Sequence, residues 1–205
     1  HLYGYGGLIL LYAFLGYELN VAKYINIAKA LLKGLKEHGM INKILNMSAF
    51  TGIGSYIYIY YTMYALFKEK HYYNSMMKLI NDVKEPNIKE LDLISGVSGT
   101  IIVLLNIYKN IKEPLILSKA IVLGDVLYEQ INNNQHKPLT GLAHGLSGYA
   151  LALIKLGVEI KSDKFIKKGF SLIKEENKFF NYQTNNWSSN KQGNQVDNFS
   201  FWFKI

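Results

Sequence analysis

Leu93-Ile-Ser-Gly-Val-Ser-Gly-Thr-Ile-Ile102 recurs, with its glycines in register, as Leu142-Ala-His-Gly-Leu-Ser-Gly-Tyr-Ala-Leu151. Two earlier segments share the pattern, Leu2-Tyr-Gly-Tyr-Gly-Gly-Leu-Ile-Leu-Leu11 and Ala49-Phe-Thr-Gly-Ile-Gly-Ser-Tyr-Ile-Tyr58. The leading glycines are Gly4, Gly52, Gly96 and Gly145, spaced by 48, 44 and 49 residues. Three segments complete a Gly-x-x-Gly pair, with Gly7, Gly99 and Gly148 in fourth place, and the second has Ser55 there. A period of this length is the mark of a repeat architecture.

Each glycine pair opens an apolar run, and residues 48–67 and 93–108 carry no charge at all. As helices such runs are buried on every side. Between them lie segments with a single apolar stripe. Val21, Tyr24, Ile25, Ala28, Leu31, Leu32 and Leu35 follow helical spacing, as do Leu117, Ala120, Ile121, Gly124, Leu127 and Ile131. Tyr73, Met76, Met77, Ile80 and Val83, and Phe165, Ile166, Gly169 and Ile173, are shorter examples, each with a lysine-bearing back. Every repeat therefore reads as a buried helix followed by a surface helix. A unit that cannot bury its own inner helix must stack on its neighbours, which predicts an all-α fold, an α/α toroid with inner helices lining a ring and outer helices coating it. The glycines fall where the chain enters each inner helix. There they are expected to permit positive φ and close backbone approach, and to leave amides facing a cavity.

Composition agrees and excludes several alternatives. The 205 residues are 49% hydrophobic and 19% charged, with 3 prolines, enough to bury a sizeable core. Cysteine is absent, which rules out disulfides and thiolate metal sites within this chain. The net charge is +8, and all 23 basic residues are lysines scattered along the chain. Without arginine, the residue suited to forked phosphate contacts, nucleic-acid binding is not expected. Residues 48–67 are long enough to span a bilayer. However, the connections between apolar runs carry five, five, four and nine lysines, with no alternation that would set an orientation. Any membrane association is expected to be peripheral. No basic, apolar, small-residue leader follows His1, so a cytoplasmic location is expected, and the chain reads as starting inside a longer frame.

Two residues stand out as candidates for chemistry. His144 directly precedes Gly145 at the mouth of an inner helix, where Tyr3, Thr51 and Ser95 stand in the other repeats. An imidazole there could move a proton near neutrality or serve only to cap the loop. Asp92 precedes Gly96 by four residues, and a carboxylate near a helix start is often a cap or a dipole partner. Asp125, His38, His71 and His136 read as surface residues, and the spacing of the histidines makes no metal triad. Trp187 and Trp202 lie in a polar Asn- and Ser-rich tail.

Gly141-Leu-Ala-His-Gly-Leu-Ser-Gly148, preceded by Asp92-Leu-Ile-Ser-Gly-Val-Ser-Gly99 and by Leu2-Tyr-Gly-Tyr-Gly-Gly7, resembles the lanthionine synthetase C-like family. More closely, it is similar to the cyclase half of a class II bifunctional lanthipeptide synthetase, and Gly124-Asp-Val-Leu-Tyr-Glu-Gln130 adds to the likeness. The resemblance covers about residues 2–180, assigned to a toroid unit over 1–180 with a polar tail at 181–205. It implies a toroid of roughly seven hairpins, of which about four are present. It also implies a zinc-dependent reaction on a ribosomal precursor peptide, in which a cysteine thiol adds to dehydroalanine or dehydrobutyrine. By that resemblance His144 is proton donor or relay, Asp92 is its electrostatic or orienting partner, and Gly4, Gly7, Gly52, Gly96, Gly99, Gly145 and Gly148 line the cavity.

The departures from the family are specific. Its zinc is held by two cysteines and a histidine of later repeats, the first in a Trp-Cys-x-Gly element. Trp202 stands near that tryptophan's place, but Phe203 follows it and the chain reaches Ile205. The family's active-site arginine has no counterpart here. The chain is therefore expected to be a truncated copy or a fragment that holds no zinc and is inactive alone, with the rest of a synthetase as its partner. The rival readings are a non-catalytic peptide-binding scaffold, a glycosidase-like toroid, which needs two facing carboxylates, and a multi-span membrane protein.

Overall fold

A computed structural model describes residues 4–39, 41, 46–83, 90–133 and 139–188. Among these residues are eight α-helices, which alternate between the two predicted kinds. The inner helices are α1 (Tyr5–Glu18), α3 (Ile53–Phe67), α5 (Val97–Asn110) and α7 (Leu146–Ile160). The outer ones are α2 (Ala22–Glu37), α4 (Lys70–Asp82), α6 (Pro114–Asn132) and α8 (Asp163–Glu176). Each inner helix packs on the outer helix that follows it. Inner packs on inner in the order α1, α3, α5, α7, and α4, α6 and α8 pack in order outside. This is the layering of an α/α toroid, and the fold class expected from the repeats holds.

The sequence explains the two layers. On α2, Ala28, Leu32 and Leu35 are buried while Lys23, Lys33 and Lys36 face water. α3, α5 and α7 lack such a polar back and are buried over most of their surface. Ile59, Met63, Ile101, Leu104 and Ile107 are fully buried among them. Each such side chain contributes roughly 1.5–3 kcal/mol relative to exposure. Pro114 starts α6 at the first position, where a missing N–H costs nothing. α3 and α7 end on Lys68 and Lys161 in the left-handed conformation. Charge pairs link successive hairpins, Lys29 with Glu69 at 2.5 Å and Lys112 with Glu159 at 3.5 Å.

One detail of the sequence reading needs correction. The buried stripe of α8 is Phe165, Gly169, Leu172 and Glu176, one position out of phase with the expected Ile173, which is exposed. The start of the tail is also structured. A 3₁₀ turn, Asn177–Phe179, leads into a hairpin of β1 (Phe180–Asn181) and β2 (Asn186–Trp187), where the Trp187 ring packs on Phe180 at 4.6 Å. Trp202, Phe203 and His136 lie outside the described residues. Among the described residues no helix is long and apolar enough to cross a membrane.

Candidate functional site

The loops that enter α3, α5 and α7 are built alike. The first helical N–H bonds the carbonyl seven residues back: Ile53 to Asn46 at 3.0 Å, Val97 to Glu90 at 3.2 Å and Leu146 to Leu139 at 3.0 Å. The loop thus folds back across the helix start, and the leading glycine sits in the crease. A Cβ on Gly96 would collide with the Glu90 carbonyl, and one on Gly145 with the backbone of Thr140 and Leu139. The φ angles at Gly52, Gly96 and Gly145 are −113°, −115° and −127°. The expectation of positive φ at these glycines is therefore wrong, and close approach alone requires them. Gly99 and Gly148 are buried in the same way against the Leu93 and Leu142 carbonyls. Gly4 is exposed with open space beside it, and Gly7 is half-buried.

The creased loops stack on one another. Leu93 and Ile94 both donate their N–H to the Ala143 carbonyl, at 3.1 and 3.3 Å. This holds the loop of α7 beside the loop of α5 and brings their side chains together. His144 Nδ1 lies 3.0 Å from Asp92 Oδ2, although 52 positions separate the two residues. Asp92 Oδ1 accepts the Ser95 N–H at 2.5 Å, so the carboxylate caps its own loop and meets the histidine at once. The Asp92 side chain is 15% exposed and that of His144 51%. Nδ1 is the ring nitrogen that faces the carboxylate. Nearby, burial and then the Asp92 charge push the Tyr149 phenol up to about 12.

The other sequence candidates are placed elsewhere. Asp125 pairs with Lys164 at 2.9 Å on the outer surface. His71 is exposed, stacks on Tyr72 and faces Glu69, and His38 is exposed at the end of α2. Sequence reasoning missed Glu176. This acid is buried at the end of α8 and accepts the Gly141 N–H and the Ser147 O–H, both at 2.8 Å. In the structure Glu176 continues the buried stripe of Phe165, Gly169 and Leu172, a phase that the sequence did not show.

Among the described residues a zinc ion finds no matching donor set. Among the described residues no three His, Cys, Asp or Glu side chains converge as a ligand set, and the full sequence has no cysteine. The pair of His144 and Asp92 supplies two candidate donors, and they are hydrogen-bonded to each other.

Comparison with known proteins gives the following. A family model described as lanthionine synthetase C-like protein matches residues 2–202. No curated protein matches the chain. A solved structure titled "Crystal structure of D-mannose isomerase" superposes with a TM-score of 0.59 at 15% sequence identity. The match covers 97% of this chain and 65% of that one, and the likeness concerns the fold alone.

Proposed function

Since this chain belongs to the lanthionine synthetase C-like family, we propose that its hairpins form part of a cyclase ring that acts on a ribosomal precursor peptide and closes thioethers. Family membership supports a lanthipeptide-cyclase type of function. The finer reading rests on one observation, the hydrogen bond between His144 and Asp92 at the mouth of α7.

The chemistry asked of this pair is a proton transfer. A cysteine thiolate of the peptide forms a C–S bond at the β-carbon of dehydroalanine. The alkene electrons move toward the carbonyl as an enolate, and a proton must then reach the α-carbon. Protonated His144 delivers that proton from Nε2, and Asp92 holds the ring by Nδ1–H and stabilises its charge. The exposure of His144 leaves room for a peptide to approach. A free thiol has a pKa of about 8.5 and is mostly protonated at neutral pH. In the family a zinc ion held by two cysteines and a histidine would supply that deprotonation. The described residues offer no zinc ligand set and the sequence has no cysteine, so on this reading the chain by itself does not complete ring closure. The toroid unit of residues 1–180 instead contributes the acid–base half of the site.

The test uses a short peptide holding one cysteine and one dehydroalanine, titrated into the 205-residue chain and followed by NMR. Perturbation centred on the His144 ring and the Gly145 amide is expected. Binding that leaves both unmoved, or that is unchanged in His144→Ala, points to a scaffold and sinks the acid–base reading. Stoichiometric zinc in the purified chain, or ring closure by the chain alone, overturns the claim of incompleteness.

A further inference from the structure

Among the described residues Glu176 is the only buried charged side chain, with 6% of its surface exposed. A buried carboxylate is costly unless its oxygens are hydrogen-bonded. Here each oxygen has one neutral donor: the Gly141 N–H on Oε1 and the Ser147 O–H on Oε2. Those donors lie three residues before and three residues after His144. The carboxylate therefore bridges the two ends of the turn that carries the imidazole.

We propose that Glu176 is the positioning residue of this turn, a clamp that keeps His144 against Asp92. The proposal deepens the reading of His144 and Asp92 as the working pair and rests on it. Three features support it. First, among the described residues the clamp is peculiar to the histidine repeat. Ser98 is the counterpart of Ser147 and donates to the Leu91 carbonyl of its own loop, while Gly54 occupies that place in α3. Second, Gly141 has φ of +100°, a conformation that side chains with a Cβ rarely adopt, and nothing crowds it. Its glycine is thus required by backbone shape at the residue that donates to Glu176. Third, the carboxylate is anchored. α8 packs closely on α7, with Gly169 against Ala150 and Ile154, and Glu176 sits near the positive end of the α7 dipole. The segment after Glu176 adds a second latch, because the Thr140 O–H donates to the Ser188 carbonyl at 2.9 Å.

The turn is thus held at its ends by Glu176 and in its middle by the Asp92 loop, through the Ala143 carbonyl and the His144 ring. Removing the clamp should loosen the middle as well. Amide hydrogen exchange of the full chain reads this directly. In Glu176→Ala the amides of Gly141, Leu93 and Ile94 should exchange about ten- to a hundredfold faster. Ile59 and Met63 in α3 should stay at the wild-type rate. Glu176→Gln can accept from Gly141 and donate to Ser147, and it should restore slow exchange. Ser147→Ala removes one arm and should give a smaller rise at the same amides.

The proposal is overturned if Glu176→Ala leaves Leu93 and Ile94 at the wild-type rate, or speeds α3 equally. It is overturned as well if the glutamine variant is as loose as the alanine one. Should Glu176→Ala not fold, Ser147→Ala decides: an unchanged pattern there overturns the clamp. A peptide that fails to perturb His144 would refute the acid–base reading without altering this exchange pattern, so the two failures are distinguishable.

Discussion

Ser48 and Asp92 occupy the same place in successive repeats, four residues before Gly52 and Gly96, and each bonds the loop that follows its own. Ser48 Oγ accepts the N–H groups of Phe50 and Thr51 and donates to the Ile94 carbonyl at 2.6 Å. Asp92 accepts the Ser95 N–H and meets His144. The two share a capping task, and the histidine contact is the addition at Asp92. Asp92→Ser should therefore keep the cap and lose the partner of His144. Its stability should lie within about 0.5 kcal/mol of wild type, because a pair whose histidine is half exposed contributes little. Asp92→Ala should lose about 1 kcal/mol, as is typical of a lost cap. Urea denaturation of both variants checks this. Equal losses in the two would mean that the bond to His144, and not the cap, stabilises the loop.

Three glycines should respond to alanine in three different ways. At Gly145 the added methyl meets the backbone of its own loop, which cannot yield, so a loss of about 2–3 kcal/mol is expected. At Gly141 space is open but φ is +100°, and strain of roughly 1–3 kcal/mol is expected. Gly34 lies within α2 with nothing near its Cβ position, and alanine there should stabilise by about 0.5–1 kcal/mol. Thermal melts of the three variants test the order, and a destabilised Gly34→Ala would contradict it.

The repeat and the alternation of inner and outer helices were readable, because both depend on register to a glycine that recurs along the chain, whereas the pairing of His144 with Asp92 came from the family resemblance and not from spacing. The reason for the glycine was not readable. Sequence alone does not separate a residue that lacks room for Cβ from one that needs positive φ. Gly145 proves to be the first kind and Gly141, four residues earlier, the second. Glu176 escaped notice for a different reason. It lies on an outer helix, 35 positions beyond Gly141, and lysines and glutamates around it disguise it as surface. The stripe of α8 was misphased because Leu172 and Ile173 are adjacent and equally apolar, and only packing decides which faces inward.

The outward side of α1 predicts self-association. Leu8, Leu11 and Phe14 are 42% to 51% exposed. Their counterparts on α3, counted from the leading glycine, are Tyr56, Ile59 and Thr62, all buried. α1 thus presents to its free side the kind of face that inner helices elsewhere bury. Exposed apolar patches of this kind drive association. The chain should elute from gel filtration above its monomer mass of 23.4 kDa. Leu11→Lys combined with Phe14→Glu should shift it toward the monomer. A compact wild-type monomer, indifferent to that double change, would refute the prediction.

Alkaline pH should unfold the protein through its buried phenols. Burial raises Tyr149 to about 12, with the Asp92 charge adding to the effect, and burial with Glu69 and Tyr60 raises Tyr72 to about 12. In the unfolded chain a tyrosine ionises near pH 10. Below that pH both states hold the proton, and the phenols impose no pH dependence. Between about pH 10 and 12 the unfolded state releases its protons while the folded state keeps them, so stability falls as pH rises. The limiting loss is about 2–3 kcal/mol for each phenol. Tyr149→Phe has no proton to lose and should flatten the alkaline limb by roughly that amount, while leaving the neutral limb unchanged in slope. Urea midpoints measured from pH 8 to 12 report both limbs. An alkaline limb equally steep in Tyr149→Phe and wild type would show that the phenol beside Asp92 ionises as freely in the folded protein as in the unfolded chain.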